Sequence, residues 1–211
     1  NTRQKFGNHG LKIASSCVKI KVMKTVVGLG NPGKEYEHTR HNAGREALEY
    51  FAKKNGFPDW EESKKYQSLV SEIKIGKENI LLLLPETFMN NSGKAVSRLK
   101  AKNLRLQTDL IVLHDDIDLP LGKFKISFGR GSGGHKGVES IMRALQTKGF
   151  WRIRIGVSPK KKPSHKKIPD FLTLPMQKPD LEILKKSFKK ISGALETTLA
   201  DSPEKAMSLY N

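Results

Sequence analysis

Cysteine is nearly absent. Cys17 is the only one in 211 residues, so the chain can form neither an internal disulfide nor a thiolate metal cluster, which fits a reducing compartment. Long apolar runs are missing as well. The longest, Ile80 to Pro85, is strand-sized, against the roughly 20 residues of a membrane-spanning helix. Acid is the third scarcity: 21 Asp and Glu face 39 Lys and Arg, for a net charge of +18 and a pI near 10.0. A surface this basic favours a polyanionic partner, nucleic acid first and an anionic membrane surface second. The 36% of hydrophobic residues is enough for a real core and argues against a disordered chain.

Residues 1–22 differ from the rest. They carry Arg3, Lys5, Lys12, Lys19 and Lys21, no acid and no clear period. The apolar stretch from Ile13 to Val18 is too short and broken for a signal peptide. Met23 directly precedes the first strand and reads as a true start. Residues 1–22 are therefore expected to be an extension outside the fold, from a tag, upstream translation or a leader. Residues 23–211 are expected to form one domain, working in the cytoplasm unless the extension is an organelle transit peptide.

Within 23–211, strand and helix patterns alternate. Thr25–Leu29 is an apolar strand, and Asn42–Lys54 a helix with Ala43, Ala47, Leu48 and Phe51 at helical spacing. Leu69–Ile75 and Ile80–Leu84 read as strands, 91–102 as a second helix, and Leu110–Leu113 as a buried strand. Lys123–Phe128 alternates basic with apolar like an edge strand. Val138–Leu145 is a third helix, Arg152–Val157 a strand with basic residues on one face, and 159–167, "PKKKPSHKK", a charged loop. Leu181–Leu199 is amphipathic, and Ser202-Pro203 opens a last short helix. The pattern predicts a single three-layer α/β domain, with a twisted, mixed, mostly parallel sheet flanked by helices on both faces.

Ligands of open α/β sheets bind beyond the carboxyl ends of the strands. Three polar loops are expected there: "GNPGKEYEHTRHNAG", "PETFMNNSG" and "HDDIDLPLG", with "GRGSGGHKG" close behind. They gather Asn31, Tyr36, His38, His41, Asn42, Asn90, His114, Asp115, Asp116, Asp118 and His135 near one crevice. The glycines Gly28, Gly30 and Gly33 lack the spacing and the acidic partner of a dinucleotide fingerprint, and "GRGSGGHKG" lacks the ending of a phosphate loop. No nucleophile motif is present, and no His pair has helical ligand spacing. A histidine oriented by a carboxylate and acting on water is what remains. Residue types alone thus lead to a hydrolase-like crevice on a basic domain, needing neither metal nor cofactor.

Four long motifs add to this: "VVGLGNPGKEYEHTRHNAG", "PETFMNNSGKAV", "HDDIDLPLGKFKISFGRGSGGHKG" and "RIRIGVSP". In these the chain resembles bacterial peptidyl-tRNA hydrolases, over roughly Lys24 to Asn211. The resemblance implies cleavage of the ester joining a peptide to the terminal ribose of tRNA, by a cytoplasmic monomer without cofactor. Matched motif by motif, His41 would be the general base, Asp115 the carboxylate that holds it basic, and Asn31 a contact to the peptide beside the ester. Tyr36 would meet the tRNA terminus. Phe88, Met89 and Asn90 would line the peptide channel, and His135 would be the second crevice histidine, contacting substrate. Lys125, Arg130, Arg152 and Arg154, with the 159–167 loop, would hold tRNA phosphates. One departure stands out: Lys136, expected to bind substrate through a phosphate near the tRNA terminus, occupies a position where the family usually has Asn. Some relatives of this fold bind RNA without hydrolysing it, and intact His41 and Asp115 speak against that alternative.

Overall fold

The computed structural model describes residues 23–75, 78–99 and 109–211. The expected extension, residues 1–22, and the end of the expected second helix lie outside them. Seven strands form one sheet: β1 (Met23–Gly28), β2 (Glu61–Ser63), β3 (Ser68–Ile75), β4 (Glu78–Pro85), β5 (Leu110–Pro120), β6 (Phe124–Phe128) and β7 (Trp151–Ser158). Their order is β2-β3-β4-β1-β5-β7-β6. The four central strands β4, β1, β5 and β7 run parallel, while β3 and β6 join them antiparallel at the two sides and β2 pairs antiparallel with β3. The sheet is mixed as expected but not mostly parallel: three pairings at its centre are parallel, and three toward its sides are antiparallel.

Strict alternation splits the central strands between two cores. Val26, Ile80, Leu82, Leu84, Ile111 and Leu113 pack on one face against α1 (Ala43–Lys54) and α5 (Lys178–Ala200). Val27, Leu81, Leu83, Leu110 and Val112 pack on the other against α2 (Gly93–Ser97) and α3 (Lys136–Leu145). A continuous run such as "ILLLL" is what a strand covered on both faces requires, because successive side chains point to opposite sides. The helices α4 (Ile168–Thr173) and α6 (Pro203–Tyr210) complete the domain. Ser202 caps α6 through its hydroxyl, which accepts from the Lys205 amide at 3.2 Å.

One element departs from the sequence reading in a way that matters. "HDDIDLP" is not a loop after Leu113 but the continuation of β5 as far as Pro120. β1 pairs with β5 only as far as Gly28 opposite Leu113, whereas β7 accompanies β5 through Asp116. Beyond Leu113, β5 therefore has no neighbour on the β1 side, and a crevice opens along its flank. Charged residues late in a strand are misread as loop because local polarity says nothing about whether a neighbouring strand has ended.

Candidate active site

The open flank of β5 is where the chemistry-bearing side chains meet. β-strand alternation puts Asp115 on the same side as Ile111 and Leu113, facing α1, and His114 on the side of Leu110 and Val112. Past the end of β1 the Asp115 carboxylate is reached from both faces of the sheet. The 3₁₀ turn Arg40–Asn42, just before α1, brings His41 from one side, and the start of α3 brings His135 from the other. Close approach of α1 depends on Gly44, where a Cβ would collide with the carbonyl oxygen of Leu113.

Both histidines use the same oxygen. His41 Nδ1 lies 2.9 Å and His135 Nε2 2.8 Å from Asp115 Oδ1. His135 is also the N-cap of α3, with Nδ1 accepting from the amides of Gly137 at 3.1 Å and Val138 at 3.3 Å. A nitrogen that accepts two amide hydrogens carries no proton, so Nε2–H is the donor to Asp115 and the ring is neutral. For His41, donation from Nδ1 leaves Nε2 as the basic nitrogen. The donor atoms of His41, Asp115 and His135 lie within 4.8 Å of one another. They do not make a good metal set, because His135 offers the carboxylate a proton rather than a lone pair.

Electrostatics follow from burial and pairing. The Asp115 side chain is 1% exposed and that of His41 12%. Burial alone would push the Asp115 carboxyl up, but His41 and His135 together outweigh it and hold the carboxyl well below its ordinary range. Burial likewise disfavours the His41 imidazolium, yet the adjacent carboxylate prevails and the pKa of His41 is raised. His114 is enclosed: its Nδ1 donates to the Asp115 carbonyl at 2.7 Å, and its Nε2 has no hydrogen-bond partner. Burial pushes His114 well below the usual histidine value, so it stays neutral.

Asn31 ties the first loop to its surroundings. Its backbone amide donates to Asn42 Oδ1 at 2.8 Å, and Asn42 Nδ2 donates back to the Asn31 carbonyl at 3.0 Å. Asn31 Oδ1 accepts from the Met89 amide at 2.8 Å, which leaves its NH2 group as the available donor. Asn31 and Asn42 also wall a cavity of about 580 Å3 shared with His38, Glu46 and Tyr50. Tyr36 and the exposed Phe88 meet edge to face, 6.3 Å between ring centres, and Asn90, two residues further along the chain, is exposed.

Some expected placements need correcting. Met89, expected along the peptide channel, is buried at 5% exposure in the core beneath α3. His135 has both ring nitrogens engaged, so no ring nitrogen is left for the substrate contact expected of it. His38 pairs with Glu46 at 3.3 Å on the cavity it shares with Asn31, not beside Asp115, and Asp118 is exposed and paired with Lys162. Lys136, in contrast, stands outward as a contact to the tRNA terminus requires, 69% exposed and paired with Glu139 at 3.3 Å.

The four expected phosphate-contacting residues do come together. Strand register sets Arg154 opposite His114 in β5 and opposite Lys125 in β6, and Arg152 opposite Ser127. Lys125, Ser127, Arg130, Arg152 and Arg154 line a cavity of about 550 Å3 behind His114. Arg152 is not a surface residue: it is 1% exposed, donates from Nη1 to the Gly131 carbonyl at 2.8 Å, and its Nε and Nη2 have no partner. Burial, then the nearby Arg154, lowers its pKa to about 10. Ser127, whose buried hydroxyl is also unpartnered, escaped the sequence reading. The alternation in "KFKISF" places it on the same face as Lys125 and would have found it.

Comparison with known proteins bears on this constellation. A family model described as Peptidyl-tRNA hydrolase matches residues 25–211. The peptidyl-tRNA hydrolase of Hydrogenobaculum sp. (strain Y04AAS1) is 39% identical over 190 residues, covering 90% of this chain and 98% of that one. That of Syntrophomonas wolfei is 38% identical, covering 90% and 100%. The crystal structure of peptidyl-tRNA hydrolase from Acinetobacter baumannii superposes with a TM-score of 0.81 at 27% identity, covering 91% of this chain and 96% of that one. Motifs, fold and near-complete coverage agree, and the chain belongs to the peptidyl-tRNA hydrolase family.

Proposed function

We propose that this protein hydrolyses the ester between a peptide, or an N-blocked amino acid, and the 3′-terminal ribose of tRNA, with His41 as general base. The observation that carries the reading is the 2.9 Å contact between His41 Nδ1 and the buried Asp115 carboxylate. It sets the tautomer and strengthens Nε2 as a base. His41 Nε2 takes a proton from water as the water oxygen bonds to the ester carbonyl carbon. The tetrahedral intermediate then expels the ribose oxygen, which takes the proton back from the His41 imidazolium. The products are a peptide carboxylic acid and tRNA with a free hydroxyl. An ester needs less activation than an amide, so one His–Asp pair with amide donors at the developing oxyanion suffices.

Asn31 and Asn90 offer side-chain amides for main-chain groups of the peptide, which suits tolerance of peptide sequence. Tyr36 and Phe88 form an aromatic corner for the terminal nucleotide or the first peptide residue. Lys125, Arg130 and Arg154 meet tRNA phosphates in the cationic cavity, and the buried Arg152 adds its charge from the cavity floor. Among the described residues no helix is long and apolar enough to cross a membrane, and a tRNA substrate points to the cytoplasm. The test is ester cleavage on N-acetylated and free aminoacyl-tRNA. The blocked form is expected to be the substrate, and His41→Ala to lose about 10²–10⁴ in rate while tRNA affinity stays within a few-fold. Near-normal turnover by His41→Ala would remove the assignment.

A further inference from the structure

The arrangement around His135 does more than complete a crevice. Its Nδ1 closes the first turn of α3 and its Nε2 reaches the very oxygen that His41 uses. We propose that His135 is a positioning residue, locked by the N-terminus of α3 as a neutral N–H donor that holds the Asp115 carboxylate in place for His41 and takes up part of its charge. This rests on the reading of His41 as the base.

Other roles for His135 conflict with its surroundings. A second general base would need a free nitrogen, and both are occupied. An imidazolium would carry a proton on Nδ1, facing the amide hydrogens of Gly137 and Val138 and the positive end of a helix dipole. A helix cap alone does not call for a histidine, since Ser, Asp or Asn serve better. Only a ring has two nitrogens far enough apart to satisfy the helix end and the carboxylate at once. The side chain is 6% exposed, and its ring centre lies 5.0 Å from that of His41 and 4.8 Å from that of His114.

The consequence is a shared carboxylate. A donor on Asp115 Oδ1 draws electron density away from the bond to His41, so His41 is less basic than it would be with Asp115 to itself. The other charged groups around His41 are engaged elsewhere. Asp116 of β5 pairs with Arg154, Lys136 of α3 with Glu139, and Arg40 of the same turn with Asp180. In α1, Arg45 pairs with Glu49 and Glu86, and Glu46 with His38. Asp170 of α4 is exposed, and His114 is neutral. Among the described residues no competing charge masks the effect of His135.

Two substitutions separate its two bonds. Asn places an acceptor where Nδ1 was but cannot reach Asp115, and Gln places a donor where Nε2 was. The titration of the His41 ring is followed by NMR in the free protein, alongside kcat and KM on N-acetylated aminoacyl-tRNA. For His135→Asn the His41 midpoint is expected to rise by about one pH unit, with the acid limb of the rate profile moving to higher pH and kcat falling more than KM changes. His135→Gln is expected to return the midpoint toward wild type. In the unmodified protein, ring 15N shifts at pH 7 are expected to show His135 protonated on Nε2 alone. That measurement stands even if His135→Asn does not fold. A His41 midpoint that stays or falls in His135→Asn, an equal rise in His135→Gln, or an Nδ1-protonated His135 would overturn the proposal. Absence of ester cleavage by the wild type would instead overturn the hydrolase reading, while leaving the NMR outcome to stand or fall alone.

Discussion

Replacing Asp115 by Asn isolates the charge of the carboxylate from its shape. Because His135 can only donate from Nε2, the amide of the variant is expected to turn its oxygen toward both histidines, so the fold and the His41 tautomer survive. What disappears is the attraction for the His41 imidazolium. With charge centres about 4 Å apart, that attraction is about 1 kcal/mol at the dielectric of water and about 4 kcal/mol at an effective dielectric of 20. Side-chain exposures of 12% and 1% put the pair toward the second figure. Burial, which already opposes the imidazolium, then acts alone. At about 1.4 kcal/mol per unit, the His41 pKa is expected to fall by about two to three units. The acid limb of the kcat/KM profile on N-acetylated aminoacyl-tRNA should therefore move to lower pH by that amount. The plateau should drop by about 10²-fold or more, because a weaker base accepts the water proton less readily. The direction is opposite to that expected for His135→Asn, which makes the pair diagnostic. An acid limb that stays in place or moves to higher pH would refute the electrostatic coupling of His41 to Asp115.

Three further outcomes are expected. Lys125→Ala and Arg130→Ala, both at exposed positions on the cationic cavity, should each make the salt dependence of tRNA binding shallower by about one, with kcat little changed; an unchanged slope would remove that residue from the phosphate contacts. Lys136→Asn should leave the acid limb in place, since the ammonium is 69% exposed and paired with Glu139, and a moved limb would show that the charge reaches His41. For His114, burial holds the folded-state pKa far below 6.5, so an unfolded chain binds more protons as pH drops below that value and stability falls. His41, with its raised pKa, acts with the opposite sign: its stabilisation is complete below about pH 6.5 and is lost as pH rises through the folded value. His114→Gln should accordingly flatten the loss of melting temperature between about pH 7 and pH 5, and an equal slope in both proteins would contradict the burial argument.

Much of this protein could be read from its sequence. Buried runs such as "ILLLL" and "LIVL" mark strands covered on both faces, and the period of Ala43, Ala47, Leu48 and Phe51 marks the helix that covers one of them. Alternation in "KFKISF" and "RIRIG" already places a row of cations on one side of the sheet. Those signals are local: they depend on side-chain spacing along a single element, and so one sequence suffices. Long shared motifs picked out His41, Asp115 and Asn31 by resemblance. The tertiary structure decided what depends on distant parts of the chain. β5 runs on past Leu113, and β1 stops beside it, so Asp115 stands at an open flank reachable from both faces. His135 becomes a helix cap and a carboxylate donor at once, Met89 turns into core, and Arg152 is buried with two unpartnered nitrogens. Each of these outcomes turns on where a neighbouring element ends or how closely it approaches. Hydrophobic periodicity along one element carries no information about that, because the energies that settle it arise only when residues far apart in the sequence come into contact.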